Sequence, residues 1–441
     1  MGAIAKLADV RASLLILVSI SHLLASLGFW RSIISRRIPN MIDCACLSII
    51  VYYDVGIWLE WTGFDFPDPY LSTMREANDV NFTICAIVLL FMPWLLRLGG
   101  LVASGGAWLQ PVERELREFR HRQLFYVLAI VTTVILAITG ADRIMRGLQL
   151  WEIRKEMSEW GVLVVLLYVP IHFLAYYIFQ SDSKTAWGTG FVIWLIVSGI
   201  VSTLILGERT NTLIPFVVAI LFWLSPRLKV IVPVVVVLVI AAALSLPVFK
   251  SGYATSNKTP VDLLMLTVYT DFSRTETLTT AVSLSEPIGT RILPYPGAGY
   301  VYSLLFFIPR SLVPWKGEAT TNWFTGQVSG SVPTEMDWGF GIGAAEELLL
   351  NFGIAFVGPG FFVYGVAMGL IDRFSRGALS LVVPTRLAAL FICGYNLPSL
   401  LLMYGTMALF VFFLDRVFSI SRDWDEESQA SEADLSYAWP E

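Results

Sequence analysis

The sequence predicts an all-α polytopic membrane protein, and three observations lead to this fold class. Hydrophobic residues make up 56% of the 441 residues and charged residues only 15%, whereas soluble proteins average about 25% charged. The mean hydropathy is +0.68. Apolar runs of about 20 residues, the length that crosses a bilayer, recur along most of the chain. No stretch of the sequence indicates a separate soluble domain.

Each predicted span is an apolar run that lies between polar turns. The stretch 381–415 is long enough for two shorter spans, with a break near Asn396, Leu397 and Pro398. Together with the other runs this gives about 11 transmembrane helices. The other candidate spans are residues 12–30, 41–60, 82–97, 124–141, 160–179, 187–206, 212–225, 230–248 and 352–371.

The distribution of arginine and lysine predicts the orientation of the spans, because cytoplasmic loops are enriched in both residues. The loop 61–81 is acidic and fits the opposite side, so the amino terminus is expected outside and the tail inside. The first apolar segment lacks a convincing cleavage site, so we expect it to be retained as a span. Cations recur in alternate loops, at Arg31, Arg36, Arg37, Arg97, Arg114, Arg117, Arg120, Arg122, Lys184, Arg227, Lys229, Arg373 and Arg376.

The predicted spans divide the chain into four parts. Residues 1–248 contain the first eight spans, and residues 341–416 contain the last three. Residues 249–340 form a long loop on the outer, periplasmic side. The acidic tail 417–441 has too few apolar residues to pack, so we expect it to be disordered.

The long outer loop is the first candidate for function, because loops beyond about 15 residues are usually either functional or disordered. Residues 261–282, VDLLMLTVYTDFSRTETLTTAV, have helical character. Residues 299–310, GYVYSLLFFIPR, form an apolar stretch that is too short to span a bilayer. Such stretches are typical of re-entrant or interfacial segments.

Cations are unusually frequent on the predicted outer face, where loops normally carry few of them. A guanidinium group binds phosphate oxygens in a bidentate manner, so the cluster suggests a pocket for a lipid diphosphate. Trp315 is expected at the level of the lipid headgroups, with Lys316 facing water. The outer cations are Arg209, Lys250, Lys258, Arg274, Arg291, Arg310 and Lys316.

Simpler interpretations exist for three of these cations. Lys316 alone is better explained by snorkelling at a helix end. Arg209 follows Glu208 in a tight turn, and an ion pair within the protein would account for it equally well. Arg274 has Asp271 three residues earlier, which is the spacing of a helical ion pair.

Two glutamates precede the ninth predicted span. Glu346 and Glu347 are the only charges between residues 338 and 371, and charges at membrane depth are costly and usually functional. Glu347 and Asn351 are four residues apart and share a helix face, so Asn351 is included among the candidate substrate-binding residues. A desolvated glutamate can act as a general base. The alternative is a salt bridge from either carboxylate to one of the outer arginines.

Other classes of site are not indicated. The four cysteines lie inside apolar runs and are interpreted as small buried residues. No spacing of histidine, cysteine or carboxylate residues matches a metal site, so neither a metal nor a cofactor is expected. The net charge of −5 does not suggest nucleic acid as a partner.

Four segments in order resemble the Wzy-like O-antigen and exopolysaccharide repeat-unit polymerases. They are GERTNTLIPF, DFSRTETL, FFIPRSLVPWKGEATTN and AAEELLLNFGIAFVGPG, and the similarity covers roughly residues 207–371. The elements IPR-x3-PWK and E-x3-NFG-x4-G carry most of the resemblance. The long amino-terminal half is compatible with this family but adds no information.

The resemblance implies a fold similar to the membrane glycosyltransferases of the C type and a specific reaction. Family members use undecaprenyl-diphosphate-linked oligosaccharides on the outer face of the bacterial inner membrane, in contact with membrane lipid. The growing glycan moves from its lipid diphosphate to the non-reducing sugar of a new repeat unit. A flippase and a chain-length regulator are possible partners, and no nucleotide sugar or metal is expected.

The resemblance also assigns roles to individual residues. Arg209, Arg274 and Arg310 would hold and stabilise the diphosphate leaving group, with Lys316 in support. Arg291 matches this pattern only loosely. Either Glu347 or Glu346 would deprotonate the acceptor hydroxyl or order its surroundings.

Three other functions are weighed against polymerisation. An O-antigen ligase is expected to use an external histidine, but His22 and His172 fall in predicted spans and His121 in a predicted cytoplasmic loop. A flippase or transporter is expected to show internal repeats and charges along midplane helices. A structural assembly component would tolerate the loss of the outer arginines.

Overall fold

The described part of the chain is almost entirely helical and contains no β-strand. All or most of the residues of five predicted spans and of the tail lie outside this part. These are 124–141, 160–179, 187–206, 212–225, 230–248 and the tail 417–441. The computed structural model describes residues 2–35, 39–63, 70–104, 130–131, 134, 138, 265, 268–269, 272–285, 292–305, 308, 312–332, 339–377, 381–405, 408–409 and 412.

Three long helices in these ranges are separated by groups of short helices. Two π-helical turns, Ile50–Asp54 and Leu401–Gly405, continue the helices that precede them. Two 3-10 turns lie at Pro314–Lys316 and Ile354–Phe356. The α-helices are α1 (Gly2–Ile34), α2 (Met41–Ile49), α3 (Val55–Trp61), α4 (Asp79–Ser104), α5 (Thr275–Leu284), α6 (Ala298–Leu305), α7 (Thr320–Ser329), α8 (Ala344–Phe352), α9 (Val357–Gly377), α10 (Val382–Leu390) and α11 (Leu397–Leu400). The three long helices are α1, α4 and α9.

Four helices of the described residues are long and apolar enough to cross a membrane. They confirm the predicted spans at 12–30, 41–60, 82–97 and 352–371, and the chain is therefore embedded in a membrane. The spans are Val10–Ser32, Met41–Trp61, Asp79–Ala103 and Ile354–Ser375.

Spans α4 and α9 pack directly backbone against backbone. A Cβ atom on Gly365 would overlap the Leu96 carbonyl oxygen, and one on Gly99 would overlap the Phe362 carbonyl oxygen. Close approach through small residues is the usual way for helices to associate in lipid, where the hydrophobic effect does not drive them together. The glycines of α4 and α9 therefore set the distance between these two spans.

Two buried ion pairs hold one end of the bundle together. Arg97 lies 2.7 Å from Asp43, and Arg386 is paired with Asp372. The Met41 N–H donates to Asp372 across 3.3 Å. The start of α2 and the carboxyl-terminal ends of α4 and α9 thus meet at this end.

The opposite end carries the helices of the long loop. Arg11, near the start of α1, pairs with Asp79 at the start of α4. Glu60 at the end of α3 accepts hydrogen bonds from the Met74 N–H at 2.9 Å and from the Thr275 hydroxyl. Within the described ranges, the start of α2 therefore lies at one end of the bundle and the segment 70–78 at the other.

A buried histidine links three spans between these ends. His22 is fully buried, and its Nδ1 lies 2.9 Å from Asp54 Oδ1. Its Nε2 lies 2.8 Å from the Leu89 carbonyl oxygen. The ring therefore joins α1 both to the π-helical turn after α2 and to α4.

The predicted break near Asn396, Leu397 and Pro398 is confirmed, because the residues between α10 and α11 are not helical. Residues 391–396 form turns, and α11 begins at Leu397. Residues that are distant along the chain form hydrogen bonds with the backbone of this break. The Ile392 carbonyl accepts from the Ala344 N–H at 3.0 Å. The Cys393 N–H donates to the Ser48 hydroxyl at 3.2 Å. The break is thus buried in protein, which is where irregular backbone is tolerated in a membrane.

Candidate active site

The two predicted glutamates lie on a short helix of their own, which precedes the span. Helix α8 begins after Gly343 and ends at Gly353, whose φ of 81° disfavours any other residue. The Glu346 side chain accepts from the Gly343 N–H at 3.0 Å, which satisfies a free donor at the helix start. Both glutamates are almost completely buried, with 0% and 1% exposure.

The Glu346 carboxylate is fully bonded. The Tyr53 hydroxyl donates to its two oxygens at 3.1 and 3.0 Å. The Thr277 hydroxyl donates to Oε1 at 3.3 Å. The helix α2 to α3, the loop helix α5 and the start of α8 are thereby connected through one side chain.

The Glu347 carboxylate is bonded through one oxygen only. The Leu397 N–H at the start of α11 donates to Oε2 at 2.9 Å. Oε1 is buried and has no hydrogen-bond partner among the described residues. The Thr320 hydroxyl lies close enough to lower the pKa of Glu347.

Asn351 lies on the same face of α8 as Glu347, as predicted. Its Nδ2 donates to the Glu347 carbonyl oxygen at 2.7 Å, and its Oδ1 accepts from the Gly299 N–H at 2.8 Å. The amide therefore joins α8 to α6. A Cβ on Gly299 would overlap the Thr320 hydroxyl and press on Asn351, so only glycine allows this approach.

Arg274 lies beside this pair of carboxylates. Its backbone N–H donates to the Tyr52 carbonyl at 2.8 Å, and its guanidinium carbon is 5.5 Å from the Tyr52 ring centroid. The guanidinium donates to the carbonyls of Ser273 at 2.8 Å and Gly394 at 3.1 Å. Its buried Nε–H has no partner within the described residues. Donors therefore remain for an anion beside Glu346.

Burial raises the pKa of both carboxyls to about 7. Desolvation disfavours the charged form, and hydrogen bonds oppose it only in part. For Glu346 the Tyr53 hydroxyl and the charge of Arg274 lower the pKa. In the part of the chain that the structure describes, neither carboxylate forms an ion pair with an arginine, so the salt-bridge alternative is not seen there. Two carboxyls that titrate near neutral pH are suited to proton transfer.

Lys316 does not face water, and that prediction is wrong. Its side chain is only 5% exposed, and its Nζ donates to the Leu305 and Ile308 carbonyls at 3.4 and 2.5 Å. Carbonyls at a helix end lack partners within the helix and attract cations. Lys316 therefore caps the end of α6, whereas its neighbour Trp315 is 66% exposed.

Five of the seven predicted outer cations lie outside the described residues, as does Asp271. They are Arg209, Lys250, Lys258, Arg291 and Arg310. Their gathering around the carboxylates therefore stays a prediction. Among the described residues the structure brings together Arg274, Glu346, Glu347 and Asn351.

Sequence reasoning missed the partners that shape the site. Tyr53, Thr277 and Thr320 are distant along the chain from the glutamates they surround. One signal was available, because Tyr53, Asp54 and Glu60 interrupt an apolar span and polar groups at that depth usually have a purpose. The role of Gly299 depends on the contact between α6 and α8, which no local pattern reveals.

Comparison with known proteins adds no relative. No protein-family model, no curated protein and no solved structure matches this chain.

Proposed function

We propose that the chain is a polymerase that joins undecaprenyl-diphosphate-linked oligosaccharide repeat units. The observation that carries the proposal is the buried pair of carboxylates, one with a free oxygen, beside the cation Arg274 at the end of the bundle that bears the long loop. The ordered motifs within 207–371 support the same assignment. The proposed architecture is similar to that of the membrane glycosyltransferases of the C type, with about 11 spans.

The chemistry requires a base and a stabilised leaving group. The acceptor sugar hydroxyl attacks the anomeric carbon that is bonded to the lipid diphosphate. The new glycosidic bond forms, the bond to the diphosphate oxygen breaks, and the hydroxyl proton passes to a glutamate. Cations fixed in a water-poor site stabilise the charge that develops on the leaving diphosphate. Arg209, Arg274 and Arg310 take this role, with Arg291 as a further candidate, while Lys316 supports them by holding α6.

The location follows from the substrate. The proposed site faces the periplasm from the bacterial inner membrane, where lipid-linked repeat units are available after they have been flipped. A flippase would supply the substrate and a chain-length regulator would act on the product. Membrane lipid surrounds the spans.

The test is to replace Arg209, Arg310 and Glu347 singly with alanine and to express each variant in a strain lacking its own polymerase. Loss of a stabilising cation or a base lowers turnover by about 100-fold or more. We therefore expect glycans of one repeat unit, with normal amounts of protein in the membrane. Long polymer from all three variants would refute the site assignment.

The accumulated product separates the competing functions. Failure of a polymerase leaves single repeat units on the lipid, whereas failure of a ligase leaves full-length polymer on the lipid. Failure of a flippase leaves single repeats on the cytoplasmic side, out of reach of external glycosidases.

A further inference from the structure

The two neighbouring glutamates differ in what their oxygens can still accept. Glu346 accepts hydrogen bonds from the Tyr53 hydroxyl, the Thr277 hydroxyl and the Gly343 N–H, at distances between 3.0 and 3.3 Å. A hydroxyl that approached this carboxylate would have to displace one of these donors. The bonds also join three separate elements, so their loss would disturb the packing around the site.

Glu347, unlike Glu346, can still accept a hydrogen bond from a ligand. Its Oε2 accepts the Leu397 N–H, while its Oε1 has no hydrogen-bond partner among the described residues. A buried acceptor without a donor is costly, so a ligand that donates a hydrogen bond there supplies the bond that the free protein lacks. A sugar hydroxyl is such a donor.

We propose that, within the proposed polymerase reaction, Glu347 is the catalytic base and Glu346 is a positioning residue. Oε1 of Glu347 accepts the proton as the acceptor oxygen bonds to the anomeric carbon, and the diphosphate leaves with the electron pair of the broken bond. Glu346 keeps its three donors throughout and holds Tyr53, α5 and α8 in register.

The surroundings of Glu347 define how the acceptor reaches it. Helix α6 lies over Thr320 and Asn351 at Gly299, and α11 lies against the carboxylate at Leu397. Glu347 is only 1% exposed, so its Oε1 becomes accessible only after α6 or α11 moves.

The experiment compares Glu347→Gln with Glu346→Gln in the full chain. Membranes come from a polymerase-deficient strain that accumulates its own lipid-linked repeat unit, and the rate of elongation is measured from pH 5 to pH 9. Glutamine at 347 can still accept the Leu397 N–H through its one oxygen, but its NH2 group cannot accept a proton from the acceptor hydroxyl.

The expected results separate the two roles. The wild-type rate should rise with pH through about 7, because the base must be deprotonated and burial raises the pKa of Glu347 to that value. Glu347→Gln should lower the rate by about 100-fold or more at every pH and abolish this rise. Glu346→Gln should lower the plateau and keep the rise but move it to lower pH, because the charge of Glu346 raises the pKa of Glu347. Glu347→Asp, which restores a carboxylate, should recover part of the rate.

Three outcomes would overturn the inference, and they are distinguishable. If the wild type elongates the repeat unit and Glu347→Gln keeps both the rate and the pH rise, the base assignment fails while the polymerase proposal stands. If the wild type does not elongate the repeat unit, the proposed function fails and the assignment fails with it. A loss of thermal stability in Glu347→Gln alone would reassign Glu347 to a structural role.

Discussion

At the scale of residues, the site depends on how buried carboxylates are compensated. An isolated charge in an apolar interior is costly, and proteins either pair it or let it become neutral. Glu346 uses neutral donors, Tyr53, Thr277 and a backbone N–H, in place of a cation in contact. This arrangement lets the carboxyl titrate near neutral pH, whereas a tight ion pair would hold it ionised.

Replacing Tyr53 with phenylalanine tests this compensation. The change removes one donor to Glu346 and leaves the ring in place, so the pKa of Glu346 should rise further. The unfolding free energy should fall by about 1–3 kcal/mol, the cost of leaving a buried acceptor unsatisfied. This loss of stability is measured by thermal unfolding of the detergent-purified protein. The measurement is made at pH 8 because Glu346 is then mostly charged. Tyr295→Phe is the matched control, since Tyr295 is 37% exposed and its hydroxyl has no protein partner in the described ranges.

If Tyr53→Phe unfolds at the same temperature as Tyr295→Phe, the hydrogen bond to Glu346 carries little energy. The Tyr53 hydrogen bond would then not account for the positioning role of Glu346.

At the scale of elements, short helices and breaks place the reactive groups while long helices form the frame. Helix α8 ends at Gly353, and the turn 391–396 interrupts the path between α10 and α11. Each break exposes backbone groups, and side chains of the candidate site bond several of them. Glu347 accepts from the Leu397 N–H and Arg274 donates to the Gly394 carbonyl. The candidate site and the broken helix therefore depend on each other.

The frame itself can be tested at the contact between α4 and α9. Alanine at Gly365 would overlap the Leu96 carbonyl oxygen, so the spans must separate, and overpacking of this kind costs about 1–3 kcal/mol. Gly358→Ala is the matched control on the same helix, because its Cβ would lie 3.6 Å from the Leu95 side chain, an ordinary contact. Unfolding by sodium dodecyl sulfate should show Gly365→Ala to be clearly less stable than Gly358→Ala. Equal stability of the two variants would contradict the close packing.

At the scale of the whole molecule, the sequence predicts the spans well because their length is a local property. The four spans at 12–30, 41–60, 82–97 and 352–371 follow from apolar runs alone. The break predicted near Asn396, Leu397 and Pro398 covers residues 391–396. The helix resumes at Leu397, since proline near the start of a helix is compatible with it. The extent of the break could not be predicted, because residues that are distant along the chain stabilise it.

Lys316 shows the same limit for the candidate site. Its position after an aromatic residue suggested a water-facing cation, yet its ammonium group caps α6. The pair Glu346 and Glu347 could be selected from the sequence because charges are rare in that region. Their partners Tyr53 and Thr320 could not, since only the folded chain brings them near.

The last prediction concerns which end of the molecule faces outward. Ser331 follows α7 at the end with the carboxylate pair, and Ser35 follows α1 at the end with the ion pairs; both are exposed. All four native cysteines are buried, so background labelling should be low. In cells with a permeabilised outer membrane, an impermeant maleimide should label Ser331→Cys directly and Ser35→Cys only after lysis. The opposite pattern would place Glu346 and Glu347 on the cytoplasmic side. A periplasmic polymerase would then be excluded, because its substrate would never meet these carboxylates.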